Sequence, residues 1–356
     1  MSNEQYIKRC LELAEKSKGF VSPNPMVGAV LVYNNRIIGE GRHEQYGQAH
    51  AEVNCIESVA PKDRHLVSES TMYVSLEPCA HYGNTPPCAL RIIEEEIKHV
   101  VICNNDPFEK VSGRGIKLLV DKGIKVEQGI LEKQGKWLNR RFFHFHQQKR
   151  PYIILKWAQT VNGFFAPADH SRMQLTNIHA AQLVHKWRTE ESAIMVGYNT
   201  ALNDDPQLTA RLYTGKQPLR IVLDKQLKLS PSQKILDDQA PTWIINEQKE
   251  EAINNLRYIK IPFNDNLLQN LFAELYATNV QSVIIEGGTR LLKSVIEKDL
   301  WDEARVFTAA VTLENGLTAP LLTNANHMLT VDIINDKLEV YTHRHNPFAY
   351  VEGMNL

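Results

Sequence analysis

A histidine, a glutamate and two cysteines in the first third of the chain have the types and the spacing of a metal-dependent catalytic site. His50 and Glu52 are separated by one residue, and Cys79 and Cys88 each follow a proline. One imidazole and two thiolates form a ligand set for Zn²⁺ that leaves the fourth tetrahedral position to water. Zinc lowers the pKa of such a water towards about 7, and a neighbouring carboxylate can transfer its protons.

The pattern predicts a zinc-dependent deaminase that acts on a heterocyclic amine. Zinc deaminases are described by H-x-E followed by P-C-x-x-C, in which the glutamate transfers protons and is not a ligand. We therefore predict that His50, Cys79 and Cys88 bind one Zn²⁺ and that Glu52 is the catalytic acid and base. Cys88 comes nine positions after Cys79 rather than three, so the segment between the cysteines is longer than in that signature.

A closed structural zinc site is the alternative. Such a site needs a fourth protein ligand, for which the sequence offers His81, Cys55 and Cys103. A structural site has no use for a carboxylate beside the histidine, so the position of Glu52 favours catalysis.

Three further polar residues are candidates for substrate contacts in this half of the chain. Asn24 stands between two prolines, and its amide could pair with the edge of a base. His43 and His81 could contact a base or a phosphate. Residue type alone favours an ordinary turn for Asn24, and packing or surface positions for the histidines.

Composition narrows the classes of protein and partner. The chain has 40 Lys and Arg and 41 Asp and Glu, which gives a net charge of −1. It therefore lacks the excess of basic residues that is typical of nucleic-acid-binding proteins. Five cysteines in 356 residues do not suggest a disulfide framework. We expect no secretory signal and no run of about 20 apolar residues that would span a membrane. The expectation is a cytoplasmic protein with a small-molecule substrate.

Hydrophobic periodicity predicts an α/β protein of two domains, with a boundary near residue 148 that gives domains 1–147 and 148–356. In the first, we predict helices at 4–18, 50–60 and 89–97, a hairpin over 27–39, and strands at 72–76 and 99–103. In the second, we predict strands at 152–158, 193–197, 220–224, 242–246, 282–286 and 304–311, and helices at 177–189, 265–277 and 289–298. Thr176 or Asn177 would cap the helix at 177–189.

Two loops of the second half could bind ligands. Gly287 and Gly288 join a buried strand to a helix, where backbone N–H groups could meet a phosphate, although a tight turn explains the glycines equally well. The segment 203–211 combines acidic residues, a proline and an arginine. Lys156, Arg188 and Arg211 could supply positive charge for an anionic substrate, and a solvated loop is the alternative.

Three segments of the first half, 23–30 (PNPMVGAV), 50–52 (HAE) and 76–88 (LEPCAHYGNTPPC), closely resemble the bifunctional riboflavin-biosynthesis deaminase/reductase family, and the likeness continues through the second half. It implies a cytidine-deaminase-like three-layer α/β/α domain followed by a dihydrofolate-reductase-like α/β domain. The first domain would deaminate a phosphoribosylated diaminopyrimidine. The second would use NADPH to reduce the ribosyl group to ribityl.

The resemblance also implies roles for individual residues. In the deaminase domain it matches the zinc ligands and the proton donor, and it places the substrate beside Asn24, His43, His81 and Asn84. In the reductase domain the substrate would meet Lys156, Thr176, Arg188, Asp204, Leu208, Arg211 and Glu286. NADPH would meet Gln159, Gln174, Thr200 and Asp204, together with the loop from Gly288 to Ser294, which includes Thr289 and Arg290. Lys156 and Asp204 are the candidates for a reductase proton donor.

Three residues depart from the family pattern. Asn84 stands in place of a Lys or Arg, Gln174 in place of a Trp, and Asn162 in place of an Asp. Gln174 and Asn162 leave open a deaminase with a decayed reductase domain. Independently of these residues, two other functions remain open: another nucleoside or tRNA zinc deaminase, and a zinc-stabilised regulator without catalysis. By analogy with related deaminases, we expect a homo-oligomer, a dimer or a tetramer.

Overall fold

The computed structural model describes residues 2–82, 86–109, 111–169 and 173–354. The chain divides into two compact units, of which the first runs to Gln148 and the second spans Lys149–Pro347. Among the described residues, no helix has the length and apolar composition needed to cross a bilayer.

The last residues of the chain belong to the first unit, which corrects our expectation that the second domain continues to residue 356. The segment that begins at Phe348 groups with the first unit. The ring of Phe348 packs edge-on against Phe143, and that of Tyr350 packs against Trp137. These apolar contacts explain why the segment returns to the first unit.

The first unit is a five-stranded sheet between two layers of helices, as predicted. The strand order is β2-β1-β3-β4-β5, in which β1 is antiparallel to both neighbours and β3, β4 and β5 are parallel. Helices α1 and α5 cover one face, and α2, α3 and α4 cover the other. The elements are α1 Asn3–Glu15, β1 Gly28–Tyr33, β2 Arg36–Arg42, α2 Ala51–Glu57, β3 Thr71–Leu76, α3 Cys88–Glu94, β4 His99–Asn104, α4 Arg114–Asp121, β5 Lys125–Gln128, α5 Glu132–Leu138 and α6 Arg140–Gln148.

Local sequence explains how the first unit begins. The buried residues of α1 recur at helical spacing and form one face of the helix. Strand β1 packs so closely against this face that a Cβ on Gly28 would lie 2.1 Å from the carbonyl oxygen of Cys10. Asn34 and Asn35 both adopt positive φ, 46° and 62°, as a two-residue hairpin turn requires. The predicted hairpin is therefore confirmed.

The second unit is built on a ten-stranded sheet of order β11-β12-β10-β9-β8-β13-β6-β14-β17-β16. The strands from β12 to β14 in this order are parallel, and antiparallel strands close both edges. The elements are β6 Tyr152–Thr160, β7 Phe164–Pro167, α7 Ile178–Glu190, β8 Ala193–Gly197, α8 Tyr198–Asp204, β9 Leu219–Leu223, β10 Thr242–Asn246, β11 Glu251–Ile253, β12 Leu256–Lys260, α9 Leu267–Ala277, β13 Ser282–Ile285, α10 Thr289–Glu297, β14 Glu303–Ala309, β15 Gly316–Thr318, β16 Ala325–Ile333 and β17 Asp336–His343.

This topology explains where ligands can bind. Strands β6, β13 and β8 lie side by side and parallel, so their carboxyl ends open on one edge of the sheet. The chain order reverses here, because β13 returns between β6 and β8. Ligands of open parallel sheets bind at such a switch point. Helix α7 begins as predicted, with the side chain of Asn177 accepting the backbone N–H groups of His179 and Ala180.

One segment has more structure than the sequence suggested. We predicted only a domain boundary in this region, near residue 148, but Arg140–Gln148 form helix α6 directly before it. Phe142, Phe143 and Phe145 are buried there, and the pattern was obscured because histidines and Pro151 lie close by.

Candidate active sites

Helix starts and a strand end position the four residues of the predicted zinc site. His50 is the residue before α2, and Glu52 lies in the first turn of that helix. Cys79 follows the carboxyl end of β3, and Cys88 is the first residue of α3. Both helices pack on the same face of the sheet, so residues distant in sequence meet beside the end of β3.

The three predicted ligands converge on one point. Nδ1 of His50 lies 3.6 Å from the sulfur of Cys79 and 3.3 Å from the sulfur of Cys88. The ligand atoms of all three residues lie within 4.8 Å of one another. An imidazole with two thiols at this separation is suited to tetrahedral zinc.

The thiols of Cys79 and Cys88 share a proton through a hydrogen bond. The thiol of Cys88 donates towards Cys79, and this hydrogen bond, with His50 nearby, lowers the pKa of Cys79 despite its burial. The same interaction and burial raise the pKa of Cys88. One sulfur is therefore ready to bind a metal as a thiolate, and metal binding would release the proton of the other.

Glu52 is buried, with 3% of its surface exposed. Burial raises its pKa to about 7, and the charge of His50 only partly opposes this shift. A carboxyl group with such a pKa can both take up and release a proton near neutral pH. Its environment is therefore that of a general acid and base.

The described part of the chain offers no fourth protein ligand that would close this site as a structural zinc site. Cys55, Cys103 and His81 do not join the group of three. Burial raises the pKa of Cys103 to about 12, and its thiol donates to the backbone oxygen of Leu131. This cysteine is held as a protonated packing residue.

Asn24, His43 and His81 lie in the same unit. His43 is buried with its ring 5.2 Å from that of His50, and its two ring nitrogens contact the carbonyl oxygen of Ala49 at 3.0 Å and the amide nitrogen of Asn24 at 3.1 Å. The structure therefore brings Asn24 to the zinc residues through His43. Nδ1 of His81 is buried with no hydrogen-bond partner among the described residues, which suits a group that meets a ligand. Asn84 lies outside the described residues.

Sequence reasoning missed Glu77. Its buried carboxylate accepts the backbone N–H groups of Asp106, Gly113, Gly115 and Ile116 at 3.0 to 3.3 Å. It thereby ties the segment 106–116 to the strand end that carries Cys79. The glutamate precedes a Pro-Cys pair, but its partners are backbone groups 29 to 39 residues away, so no local pattern marks it.

In the second unit, three predicted substrate residues form one cluster at the sheet edge. Arg188 donates to both carboxylate oxygens of Glu286, at 3.1 and 2.8 Å, and Nζ of Lys156 lies 3.9 Å from the same group. Leu155 of β6 pairs with Ile285 of β13, so the next residues along the two strands, Lys156 and Glu286, lie level with each other. Although Glu286 is buried, these cations lower its pKa, and burial lowers the pKa of Lys156.

The predicted substrate loop, residues 203–211, lies against this cluster. Arg188 also donates to the carbonyl oxygen of Thr209, whose hydroxyl accepts from Arg211, at 3.1 and 3.0 Å. Leu208 is buried and adopts a positive φ of 56°, a strained conformation for a leucine. Asp204 ends α8 at the start of the loop.

Two further side chains that the sequence did not reveal hold this loop. The guanidinium of Arg220 is fully buried and donates to the carbonyl oxygen of Gln207 at 3.3 Å. Gln217 accepts the N–H of Ala210 at 2.7 Å and donates to its carbonyl at 3.2 Å. Side-chain hydrogen bonds thus hold the backbone of the loop at Gln207 and Ala210, although the loop has no regular secondary structure.

The predicted cofactor loop is shaped by its two glycines. Gly287 has φ 159° and Gly288 has φ 74°. A Cβ on either would lie 3.2 Å from Thr200, at its Cγ2 for Gly287 and at its Oγ1 for Gly288. Thr289 and Arg290 then begin α10. Glycine is therefore required at both positions for the turn to pack against Thr200 and lead into α10.

The remaining predicted cofactor and substrate residues lie at different places. Gln159, near the end of β6, accepts the indole N–H of Trp157 at 2.9 Å. Thr176 precedes the cap of α7, and the exposed side chain of Gln174 donates to its carbonyl oxygen at 3.3 Å. No described contact joins Thr176 or Gln174 to the Arg188 cluster.

Comparison with known proteins assigns a family to each of the two units. The family profile for the cytidine and deoxycytidylate deaminase zinc-binding region matches residues 1–104, and that for the RibD C-terminal domain matches residues 151–342. Riboflavin biosynthesis protein RibD of Aquifex aeolicus is 39% identical over 89% of each chain. The RibD protein of Bacillus amyloliquefaciens is 34% identical over 93% of this chain and 90% of its own.

Solved structures show the same likeness. A diaminohydroxyphosphoribosylaminopyrimidine deaminase/5-amino-6-(5-phosphoribosylamino)uracil reductase from Thermotoga maritima superimposes with a TM-score of 0.88 at 33% identity, over 96% of this chain and 98% of that one. RibD of Acinetobacter baumannii gives a TM-score of 0.87 at 30% identity over the same shares. The protein therefore belongs to the RibD family of riboflavin biosynthesis proteins and is a bifunctional enzyme with a deaminase domain and a reductase domain.

Proposed function

We propose that the first unit hydrolyses the 2-amino group of 2,5-diamino-6-(5-phosphoribosylamino)pyrimidin-4-one, which yields ammonia and the corresponding uracil. The observation that carries this proposal is the convergence of His50, Cys79 and Cys88 beside the buried carboxyl of Glu52. The relative from Thermotoga maritima bears the name of a deaminase for this class of substrate.

The chemistry divides between the metal and Glu52. Zinc is the cofactor of this domain, and when bound it activates water for attack at neutral pH. Glu52 accepts a proton from that water and returns protons to the ring nitrogen and the departing amine. Its pKa of about 7 lets it act in both directions. Asn24, His43 and His81 would orient the pyrimidine.

We further propose that the second unit reduces the ribosyl group of 5-amino-6-(5-phosphoribosylamino)uracil to ribityl. NADPH is its cofactor and supplies the hydride to the opened ribosyl C1′. Lys156 or Asp204 would provide the accompanying proton. Arg211 would bind the substrate phosphate, and the Arg188–Glu286 pair would fix its surroundings.

The residues present suit NADPH. The Gly287-Gly288 turn packs its backbone against Thr200, where a Cβ on either glycine would lie 3.2 Å from that side chain. Helix α10 begins directly after the turn, and its N-terminus favours an anion. Thr289, Arg290 and Gln159 would complete this site.

The intact cluster around Glu286 argues against a decayed reductase domain. Buried, paired charges that serve no ligand are costly to keep, because each must be removed from water. Gln174 would contact NADPH less strongly than a tryptophan, since it cannot stack on an aromatic ring.

We propose that the enzyme works in the cytoplasm as a homo-oligomer, a dimer or a tetramer, and binds no nucleic acid. The five free cysteines support the cytoplasmic location, and the net charge of −1 argues against nucleic acid as a partner. The homo-oligomer rests on analogy with related deaminases. Light scattering during size-exclusion chromatography measures the oligomeric state, and a monomer at micromolar concentration would contradict it.

Substrate choice tests the deaminase proposal. Zinc-loaded enzyme should release ammonia from the phosphoribosylated diaminopyrimidine and not from cytidine, deoxycytidylate or guanine. Ammonia from one of these bases or nucleotides, with none from the diaminopyrimidine, would show that the site belongs to another zinc deaminase.

A further inference from the structure

His185 is a buried histidine in the reductase unit that the reaction above leaves without a role. It lies on α7, one helical turn before Arg188, and only 6% of its surface is exposed. Its Nδ1 accepts the backbone N–H of Arg211 at 2.8 Å and that of Leu212 at 3.4 Å. It therefore touches the end of the substrate loop directly.

These two hydrogen bonds fix the state of the ring. Because Nδ1 accepts, the proton of the neutral imidazole is on Nε2. A second proton would have to replace both backbone donors. Burial and the charges of Arg188 and Arg211 also oppose it, and they lower the pKa of His185 to about 4. The ring is therefore a neutral acceptor at neutral pH.

His185 is one of four side chains that hold the backbone of the substrate loop by hydrogen bonds. Arg220 holds the carbonyl of Gln207, Arg188 holds that of Thr209, and Gln217 holds both backbone groups of Ala210. His185 supplies the last of these contacts, at Arg211. Binding an anion orders both the backbone and the side chain of the arginine that holds it. A backbone that is already fixed lowers the conformational entropy lost on binding.

We propose that His185 is a positioning residue of the reductase site, which holds the backbone of Arg211 so that its guanidinium can bind the phosphate of the substrate. This role rests on the proposed function, in which Arg211 meets that phosphate. His185 acts through Arg211, and its effect is therefore specific to the phosphate.

Two substitutions distinguish the role of His185 as a hydrogen-bond acceptor from its contribution to packing. His185→Leu fills much of the same space but leaves two backbone N–H groups without their partner. His185→Asn restores an oxygen close to the position of Nδ1. His179→Leu makes the same change at an exposed histidine of the same helix and is the matched control. Ammonia release and circular dichroism report the amount of folded protein.

The kinetic readout compares 5-amino-6-(5-phosphoribosylamino)uracil with its dephosphorylated form. His185→Leu should lower kcat/KM for the phosphorylated substrate about 10- to 100-fold, mainly through KM, and leave the dephosphorylated one nearly unchanged. His185→Asn should recover most of the loss, and His179→Leu should show none. Equal losses on both substrates, no loss, or an asparagine variant as poor as the leucine variant would overturn the proposal.

A double variant tests the route through Arg211. If His185 acts only by holding Arg211, His185→Leu combined with Arg211→Ala should be no worse than Arg211→Ala alone. Losses that multiply would refute this coupling. Arg211→Ala measured alone tests the proposed function separately, because an unchanged preference for the phosphorylated substrate would show that the phosphate binds elsewhere.

The wild-type protein provides a measurement that does not depend on the folding of a variant. In ¹⁵N-histidine NMR spectra, the signal absent from His185→Asn should be that of a neutral ring protonated on Nε2 at pH 7. A ring protonated on Nδ1, or on both nitrogens, could not accept from Arg211 and would refute the proposal.

Discussion

The backbone N–H of Cys88 donates a hydrogen bond to the sulfur of Cys79 at 3.3 Å. This bond joins the two predicted thiolate ligands directly, although nine positions separate them along the chain. The longer connection therefore does not widen the site, since His50 remains within 3.6 Å of both sulfurs. A backbone N–H on a ligand sulfur also stabilises the thiolate form.

Removing a ligand should remove the metal. We expect Cys88→Ser to lower the zinc content from about one ion per chain towards zero and to abolish ammonia release, because one imidazole and one thiolate hold zinc weakly. Elemental analysis after gel filtration measures the zinc. Cys103→Ser is the matched control, since this thiol lies outside the cluster, and loss of zinc from it would contradict the assignment.

Removing the carboxylate should leave the metal in place. Glu52→Gln keeps the size of the side chain but cannot transfer protons, so ammonia release should fall at least about 100-fold while zinc stays bound. Glu57→Gln changes an exposed glutamate at the end of the same helix and should behave as wild type. An active Glu52→Gln enzyme would remove the proposed acid and base.

The deaminase residues were predictable because their types and spacing carry the chemistry. His50 and Glu52 are close in sequence, and each cysteine follows a proline. Strand β3 and helices α2 and α3, which position them, also have regular hydrophobic patterns. The prediction therefore needed no knowledge of distant contacts to find the cluster.

The supports of the reductase loop could not be found in this way. Arg220 and Gln217 bind carbonyl and N–H groups, which every residue possesses, so their partners leave no trace in the side-chain pattern. His185 resembles any histidine of an amphipathic helix. The return of Phe348 to the first unit likewise depends on packing that only the folded chain reveals.

The glycine turn gives a prediction for cofactor binding. Gly288→Ala should weaken NADPH binding about tenfold or more, because the new Cβ approaches Thr200 and the backbone keeps a positive φ. Fluorescence titration with NADPH measures this directly. Gly123→Ala carries the same backbone strain in open space and should bind NADPH normally. Equal affinity in both variants would show that NADPH does not approach this turn.

His185 also predicts a dependence of stability on pH. Its pKa of about 4 in the folded protein lies below the value of about 6.5 expected when unfolded. The unfolded chain therefore binds more protons between these values, and the stability contributed by neutral His185 is complete above pH 6.5 and is lost as the pH falls towards 4.

Urea unfolding of wild type and His185→Asn at pH 7 and pH 5 measures this contribution. The asparagine variant should lose less stability on acidification, with a difference on the order of 1–2 kcal/mol. Parallel losses in the two proteins would mean that His185 titrates alike in the folded and unfolded states.

The most direct test of the two-site enzyme is a single assay that follows ammonia release and the loss of NADPH absorbance together. Zinc-loaded protein receives the phosphoribosylated diaminopyrimidine and NADPH. We expect ammonia first and an equal amount of NADPH oxidation after it, and Glu52→Gln should suppress both until the deaminated uracil is supplied. NADPH oxidation by Glu52→Gln without that uracil, or ammonia with no NADPH oxidation, would contradict the account.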